Sequence, residues 1–412
     1  MAAKLKRELG LLECTLAGTG IIIGAGIYAL IGKSTAIAGS DVWLSFTLAA
    51  LAAIFTGLSY AELSSMFAKA GGEFDYSLNA FGKKTAFTTG WLMLFAGVVG
   101  SAAVALGFAG YFASLTGLPL VPIAIGLVLL CTIVNYIGIK QSTGIADIIT
   151  VLEVFGLLAV IVLGLGFLSN VKVSLPTGGF DHVLSAASLV FFAFIGFEGI
   201  VKLSEETRDP KKTIPRALLL SVVITSVLYI LTAFAALAIL GPQELGASSA
   251  PLADVAAKAL HTSSSQAFLA IAIIALFSTA NTVLLLLVTT SRLLYGMAEN
   301  HVLPLFFASV DKQRRTPYVS ILATSVFTII FILLGNLEFA ARLTDFAVFL
   351  VFILVNLGVI ALRINEPGLP RPFKTPLSIK NIPITAVLGI IPCIGLPVRL
   401  GLEIIVGGLI FT

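Results

Sequence analysis

The sequence predicts an all-α polytopic membrane protein, and three observations lead to that prediction. Hydrophobic residues make up 58% of the chain and charged residues 11%, with a mean hydropathy of +1.07, whereas soluble domains carry about 25% charged residues. Apolar runs of about 18 residues or more, the length of a membrane-spanning helix, recur along most of the chain. Basic residues concentrate in alternate loops, as they do when those loops remain in the cytoplasm.

The apolar runs predict ten spanning helices and a further C-terminal helix or helix hairpin, all in a single transmembrane domain, 1–412. The ten spans are 9–31, 41–65, 86–115, 121–139, 147–168, 183–203, 214–241, 265–290, 317–335 and 345–363. In the C-terminal segment, 382–412, Pro397 and Arg399 interrupt the apolar run, because proline breaks a helix and arginine is costly in lipid. We therefore expect eleven helices, or twelve if this segment is a hairpin.

The charges in the loops predict the orientation. Lys4, Lys6 and Arg7 precede the first span, and basic loops follow every second span, which predicts a cytoplasmic N-terminus in the cell membrane. The first apolar run has full spanning length and lacks an A-x-A-like cleavage site, so we interpret it as a helix and not as a signal peptide. The net charge of +4 reflects this topology and does not indicate a nucleic-acid partner.

Several chemistries have no motif in this chain. The three histidines form no H-E-x-x-H pair, and neither a G-x-S-x-G nucleophile elbow nor a phosphate-binding G-x-x-x-x-G-K-[ST] loop is present. A TVGYG-like potassium filter is also missing. The three cysteines lack metal-ligand spacing and are odd in number, so we expect no disulfide framework, metal or cofactor. These exclusions argue against an enzyme or an ATP-driven pump and leave secondary transport.

Four glycines interrupt the first span, which contains GTGIIIGAGIY at 18–28. Their spacing does not fit the dinucleotide fingerprint G-x-G-x-x-G, and no strand precedes them. Gly20 and Gly24 form a G-x-x-x-G pair, which permits close helix packing. Packing of that pair leaves Gly18 and Gly26 unexplained, so the stretch also indicates an interrupted helix.

The sixth span is interrupted in the same way. Gly196 and Gly199 flank Glu198, and an ionisable residue within a span marks a functional site by default. The alternative is an ion pair of Glu198 with Lys202, one turn away. Two broken helices at corresponding places predict an inverted repeat of helices 1–5 (9–168) and helices 6–10 (183–363), with the site at mid-membrane. Backbone N–H and C=O groups freed there suit the carboxylate and ammonium of a zwitterion.

Three blocks resemble the amino acid/polyamine/organocation transporter family along nearly the whole chain. They are GTGIIIGAGIYALIGKSTAIAGS, then FFAFIGFEGI with SEETRDPKKTIPRAL, and STANTVLLLLVTTSRLLYGMAENHVLPLFFASVDKQRRTPYVSIL. They are similar to the family's first helix, to its sixth helix with the following cytoplasmic loop, and to its eighth and ninth helices. The resemblance implies a LeuT-type bundle of five plus five helices in inverted repeat, with helices 1 and 6 unwound at mid-membrane.

The resemblance also implies a substrate site. Its implied residues are Ile22, Gly24, Ala25, Gly26, Phe192, Ala193 and Ile195. The backbone N–H groups of Ala25 and Gly26 would bind the substrate carboxylate. The carbonyls of Ile22, Phe192 and Ile195 would face its ammonium, and Phe192 would also be the aromatic gate over the site.

Several coupling schemes remain open. Some proton-coupled family members carry a lysine in the fifth helix, where this chain has Val154 beside Glu153. Glu153 is therefore either a proton-binding substitute or an interhelical hydrogen-bonding residue. Ser278 and Thr279 are the hydroxyls that would hold sodium in this fold, although such hydroxyls commonly bond to their own helix. We expect proton movement through Glu198 or Glu153, or substrate exchange, ahead of sodium coupling.

We therefore expect a secondary permease that moves a small neutral amino acid by alternating access. Apart from Glu198 and Glu153, the segments of the expected pocket carry no charge, which favours a neutral side chain. A cationic amino acid or polyamine carrier, with Glu198 binding the substrate cation, is the alternative, and a transceptor or assembly subunit is a further one. The expected partners are the amino acid, the lipid bilayer and a coupling ion, and the oligomeric state stays open.

Overall fold

The computed structural model describes residues 5–170, 176, 179–248, 251–260, 264–334 and 337–399. Within these residues the chain forms fourteen α-helices. They are α1 Leu11–Ile23, α2 Ala25–Ala38, α3 Val42–Met66, α4 Glu73–Phe81, α5 Lys83–Thr116, α6 Leu120–Ile137, α7 Ile139–Leu165, α8 Asp181–Val190, α9 Pro210–Ala247, α10 Pro251–Leu260, α11 Ser264–Glu299, α12 Tyr318–Leu334, α13 Leu337–Asn365 and α14 Ile384–Gly395. Two short strands after α13, β1 (Ser378–Ile379) and β2 (Ile382–Pro383), pair as an antiparallel hairpin.

Nine helical segments of the described chain are long and apolar enough to cross a membrane, so the protein is a polytopic helical membrane protein. These segments coincide with nine of the ten predicted spans. The remaining predicted span, 317–335, corresponds to α12, which has 17 residues. In the C-terminal segment, α14 has 12 residues and ends at Gly395, before Pro397. The part of the predicted hairpin at 400–412 lies outside the described residues.

The first predicted span is two helices, α1 and α2, separated at Gly24. This residue has φ −30° and ψ −150°, which lies outside the helical region. A Cβ added to Gly18, Gly20, Gly24 or Gly26 would overlap an atom of a neighbouring element. At Gly26 the overlap is with the Cα and Cβ of Ala193, and no side-chain rotation relieves it. Close packing and chain interruption therefore both account for the glycines of this span.

The sixth predicted span is interrupted between α8 and α9. After α8 the chain forms a 3₁₀ turn, Phe191–Phe194, and Ile195 is extended. Gly196 then has φ 124°, a conformation that favours glycine. The chain continues as a ten-residue 3₁₀ segment, Phe197–Glu206, although 3₁₀ runs longer than about four residues are uncommon and mark hinges or strain.

The two interruptions meet because their helices share neighbours. α1 packs against α7, α9 and α11, and the 3₁₀ segment Phe197–Glu206 contacts α1, α9 and α11. The helix α9 crosses the bundle beside both of them and bends at Gly241, where φ is 76°. This packing brings the chain breaks of two helices, far apart in sequence, to one place in the bundle.

Candidate substrate site

A cavity of about 50 Å³ lies between the two helix interruptions. From the first interruption it is lined by Ile21, Ile22, Gly24 and Gly26. From the second it is lined by Phe192, Ile195, Gly196, Glu198, Gly199 and Lys202. The cavity is therefore bounded on two sides by backbone that has left the regular α-helical hydrogen-bonding pattern.

Three unbroken helices complete the wall. α5 presents one face to the cavity, with Met93, Ala96, Gly97, Gly100 and Val104. Each of these residues has another of the set three or four positions away, so they lie on one side of a helix. α11 adds Thr282, Leu286, Thr289 and Thr290, and α13 adds Thr344 and Val348. This wall is apolar or carries neutral hydroxyl groups, which suits an uncharged side chain.

Most of the site residues implied by the resemblance lie at this cavity. Its lining includes Ile22, Gly24, Gly26, Phe192, Ile195 and Glu198. Ala193 lies just behind the lining and packs on Gly26, while Ala25 is the first residue of α2. The N–H groups in the first turn of a helix have no acceptor within that helix, so α2 directs unpaired donors towards the chain break.

Tyr229 is a contact of this site that the sequence did not indicate. It lies inside α9, and its hydroxyl is 2.6 Å from the carbonyl oxygen of Ile22 and 3.2 Å from that of Ala193. One buried hydroxyl thus connects the backbones of both interrupted helices. A single tyrosine in an apolar run carries no signal of this role, because its partners are determined only by how α9 packs.

The phenylalanines of the second interruption divide into one cavity residue and three packing residues. Phe192 is partly exposed and lines the cavity. The ring of Phe191 stacks on that of Phe349, with 4.6 Å between centroids. Phe194 makes an edge contact with Tyr229, and Phe197 is fully buried. Among these four rings, Phe192 is therefore the one placed to contact a ligand.

Glu198 and Lys202 both line the cavity but have different partners. A carboxylate oxygen of Glu198 accepts a hydrogen bond of 2.9 Å from the backbone N–H of Gly196. The ammonium of Lys202 lies 3.2 Å from Oε1 of Glu73, in α4. In an α-helix, Glu198 and Lys202 would lie on one face and could form an ion pair. They do not pair here, since residues i and i+4 of a 3₁₀ helix are rotated about 120° apart.

Glu153 lies outside the cavity in a separate polar cluster between α7 and α11. Its Oε1 accepts a hydrogen bond of 3.3 Å from Nδ2 of Asn281, which also donates to Thr150. The hydroxyl of Ser278 faces the same carboxylate. The hydroxyl of Thr279 bonds to carbonyls of its own helix, 2.7 Å from that of Ala275. Of the two predicted sodium hydroxyls, that of Thr279 is therefore committed to its own helix and that of Ser278 faces Glu153.

Buried ion pairs hold together the end of the bundle that carries the N-terminal segment. Arg292 of α11 donates two hydrogen bonds of 3.0 Å to the carboxylate of Glu206. Arg363 of α13 binds the carboxylate of Glu62 in α3, with 2.8 Å between Nε and Oε1. The backbone N–H of Leu9 donates to the carbonyl of Glu206. One set of bonds thus joins α11, the segment Phe197–Glu206 and the N-terminal segment, and a second joins α13 to α3.

At the same end of the bundle, in α4, Asp75 predicts a pH dependence of stability. Burial raises the pKa of Asp75 from its ordinary 3.8 to about 6. The native state therefore binds this proton more tightly than the unfolded state, so the stabilisation is complete below pH 3.8 and is lost as the pH rises through 6. We expect Asp75→Asn to be more stable than wild type by about 1–3 kcal/mol at pH 8, with the difference vanishing towards pH 4 in denaturant titrations.

The control for this prediction is Asp311→Asn. Asp311 is partly exposed in a loop, and the backbone N–H groups of Arg314 and Gln313 lower its pKa. Its stabilising effect is therefore present above its ordinary pKa, and the substitution should be neutral or slightly destabilising at pH 8. A stability difference for Asp75→Asn that does not change between pH 4 and pH 8 would contradict the prediction.

The comparisons with known proteins agree with this architecture. The profile of the amino acid permease family matches residues 9–400. A branched-chain amino acid permease of Bacillus subtilis (strain 168) is 32% identical over 99% of this chain and 91% of its own length. A methylthioribose transporter of the same organism is 30% identical over 90% of this chain and 84% of its own length.

A more distant relative is named for a different class of substrate. A vacuolar cationic amino acid transporter of Arabidopsis thaliana is 30% identical over 88% of this chain and 61% of its own length. These relatives are all membrane transporters and not enzymes. The chain therefore belongs to the amino acid permease family, within the amino acid/polyamine/organocation superfamily of transporters.

Proposed function

We propose that this protein is a secondary permease that moves a small neutral amino acid across the cytoplasmic membrane by alternating access. The observation that carries the proposal is the cavity between two interrupted helices, with the start of α2 on one side and the 3₁₀ turn Phe191–Phe194 with Ile195 on the other. We further propose a LeuT-type arrangement of two inverted repeats, 9–168 and 183–363, with the N-terminus in the cytoplasm. Irregular backbone within a membrane is stable where it lines a ligand cavity, which supports this arrangement.

In this proposal the backbone binds the zwitterion. The N–H groups of Ala25 and Gly26, at the positive end of the α2 dipole, hold the substrate carboxylate. The carbonyls of Ile22, Phe192 and Ile195 accept from its ammonium. The carbonyl of Ile22 already accepts from Tyr229, but a carbonyl oxygen has two lone pairs and can accept a second hydrogen bond. The ring of Phe192 covers the bound ligand as a gate.

The cavity wall supports a neutral substrate side chain. Met93, Val104, Leu286 and Val348 contribute apolar surface, and the similar Bacillus subtilis protein is named as a branched-chain amino acid permease. The second candidate is a cationic amino acid or polyamine. Glu198 at the cavity and the similarity to a cationic amino acid transporter favour that alternative.

We propose that transport is linked to protons or proceeds by exchange. Glu153 is fully buried, and no basic side chain among the described residues forms an ion pair with it. A buried carboxylate without a cation is costly as an anion, so this position favours a bound proton. The hydroxyl of Ser278 beside Glu153 leaves a sodium ion as the weaker alternative, because Thr279 is committed to its own helix.

The proposal is tested by uptake into proteoliposomes that contain the purified protein. Labelled neutral and cationic amino acids and putrescine are offered with an imposed proton gradient, with an imposed sodium gradient, and with unlabelled substrate inside. Saturable uptake of neutral amino acids driven by the proton gradient or by internal substrate is the expected result. Uptake of none of these compounds by protein shown to be folded would overturn the proposed function.

Replacing Glu198 with glutamine separates the two candidate substrate classes. For a neutral amino acid permease we expect Glu198→Gln to keep the KM for the neutral substrate within about threefold, because the glutamine carbonyl still accepts from Gly196. If Glu198 carries a coupling proton, the pH dependence of uptake should flatten. A cation carrier would instead lose at least about tenfold in affinity with the loss of the charge.

The matched control for this variant is Glu244→Gln. Glu244 is an exposed carboxylate in α9 that pairs with Lys258, away from the cavity lining. It should change neither KM nor the pH profile. A large loss of affinity for cationic substrates in Glu198→Gln, with wild-type uptake of those substrates, would contradict the neutral assignment.

A further inference from the structure

We infer that Lys202 makes this site selective against cationic amino acids and polyamines, because its ammonium offsets the negative charge of Glu198 at the cavity wall. This inference rests on the proposed function, since it concerns the choice of substrate at the same cavity. It assigns a specificity role to a residue whose sequence context suggests only an ion pair with Glu198.

Glu198 and Lys202 are the ionisable residues among the described residues that line the cavity. Both are buried, so water screens their charges poorly. A carboxylate alone at this wall would attract a substrate ammonium or guanidinium. Because the ammonium of Lys202 lies in the same wall, it repels a cationic substrate side chain while Glu198 attracts it, and the net electrostatic attraction is small. The binding of a neutral side chain does not depend on this balance.

An ion pair with Glu73, which is not part of the cavity lining, holds Lys202 in this position. Its Nζ lies 3.2 Å from Oε1 of Glu73, and the hydroxyl of Tyr60 donates to the same oxygen at 3.2 Å. Glu73 is in the first turn of α4, where a negative charge is favoured by the helix dipole. Glu73 is fully buried and is not part of the cavity lining. The pair therefore presents its positive end to the cavity.

The turn before α4 packs on the stem of Lys202. Gly72 has φ 49°, and a Cβ built there would lie 3.3 Å from Cγ of Lys202. Glycine at this position therefore leaves room for the stem of Lys202 beside the turn, where a larger residue would press on it. The 3₁₀ geometry of Phe197–Glu206 has a second effect, since it keeps Lys202 from pairing directly with Glu198 while both residues line the cavity.

The test is a set of variants in proteoliposomes, read by competition against uptake of a labelled neutral amino acid. Unlabelled arginine, lysine and putrescine are the competitors. For wild type we expect weak inhibition by all three. For Lys202→Met we expect the inhibition constant of the cations to fall at least about tenfold relative to the KM of the same variant for the neutral amino acid, as for a unit charge removed a few ångströms away in a poorly screened site.

Two further variants keep the test specific. Lys202→Arg retains the positive charge and should resemble wild type. Adding Glu198→Gln to Lys202→Met should abolish the stronger inhibition by cations, because the carboxylate that attracts the cation is gone. Lys202→Met leaves Glu73 buried without its cation and could fail to fold for that reason. In that case the double variant Lys202→Met/Glu73→Gln removes both charges, and it should still be inhibited by cations more strongly than wild type, by a smaller factor.

Failure of this inference is distinguishable from failure of the proposed function. Folded Lys202→Met that transports the neutral substrate without any gain in cation inhibition overturns the inference and leaves the permease assignment intact. Strong cation inhibition of wild type also overturns the inference, as does loss of neutral uptake in folded Lys202→Met. A wild-type protein that is folded but transports none of the compounds overturns the proposed function itself.

Discussion

Replacing Gly26 with leucine is expected to lower the initial rate of uptake at least about a hundredfold. The Cβ of any side chain at this position would overlap the Cα and Cβ of Ala193, in the turn of the second interruption. The two broken segments would have to separate, and a displacement of about 1 Å is enough to cost two orders of magnitude where geometry determines turnover. The measurement is uptake per folded protein in proteoliposomes, with folding checked by size-exclusion chromatography.

Gly107→Leu is the matched control for Gly26→Leu. Gly107 lies inside α5, and a Cβ there meets no atom within 4 Å. Leucine is also a better helix former than glycine by about 1 kcal/mol, so this variant should fold and transport as wild type. If Gly26→Leu transported normally, the site would lie elsewhere. If it lost transport but kept the biological activity of the protein, a transceptor would be the better assignment.

Replacing Arg292 with methionine is expected to destabilise the protein by about 3–5 kcal/mol, because a buried carboxylate left without its partner carries a penalty of that size. Arg292 is fully buried, and its guanidinium makes two hydrogen bonds of 3.0 Å to Glu206 and one of 2.5 Å to Asn135. The free energy of unfolding, measured by denaturant titration in detergent, is the quantity that checks this. Changing Glu206 to leucine as well should recover part of the loss.

An exposed ion pair provides the control for the Arg292 variant. Lys258 and Glu244 are 2.6 Å apart but are about half exposed, and exposed pairs contribute about 1 kcal/mol or less. Lys258→Met should therefore change the free energy of unfolding by no more than that. Equal losses for Lys258→Met and Arg292→Met would contradict the argument, which depends on burial and not on the distance between the charges.

The membrane class, the positions of nine of the spans and the two glycine-rich interruptions could all be predicted from the sequence. These features are local. A spanning helix must satisfy its hydrogen bonds within its own segment, so a run of apolar residues of sufficient length identifies it. A glycine within an apolar run similarly indicates a break in the helix. Gly196 has φ 124°, a conformation that other residues rarely adopt.

The contacts that shape the site were decided by tertiary structure. Tyr229 bonds to Ile22 and Lys202 pairs with Glu73, and each of these contacts joins two separate elements. Phe192 lines the cavity, whereas the neighbouring phenylalanines do not. Their geometry depends on how far each helix is rotated about its own axis. Hydropathy does not encode that rotation here, since both the lipid-facing and the buried sides of these helices are apolar. The sequence by itself therefore determined where the chain crosses the membrane and where it breaks, and only the packing determined which side chains meet there.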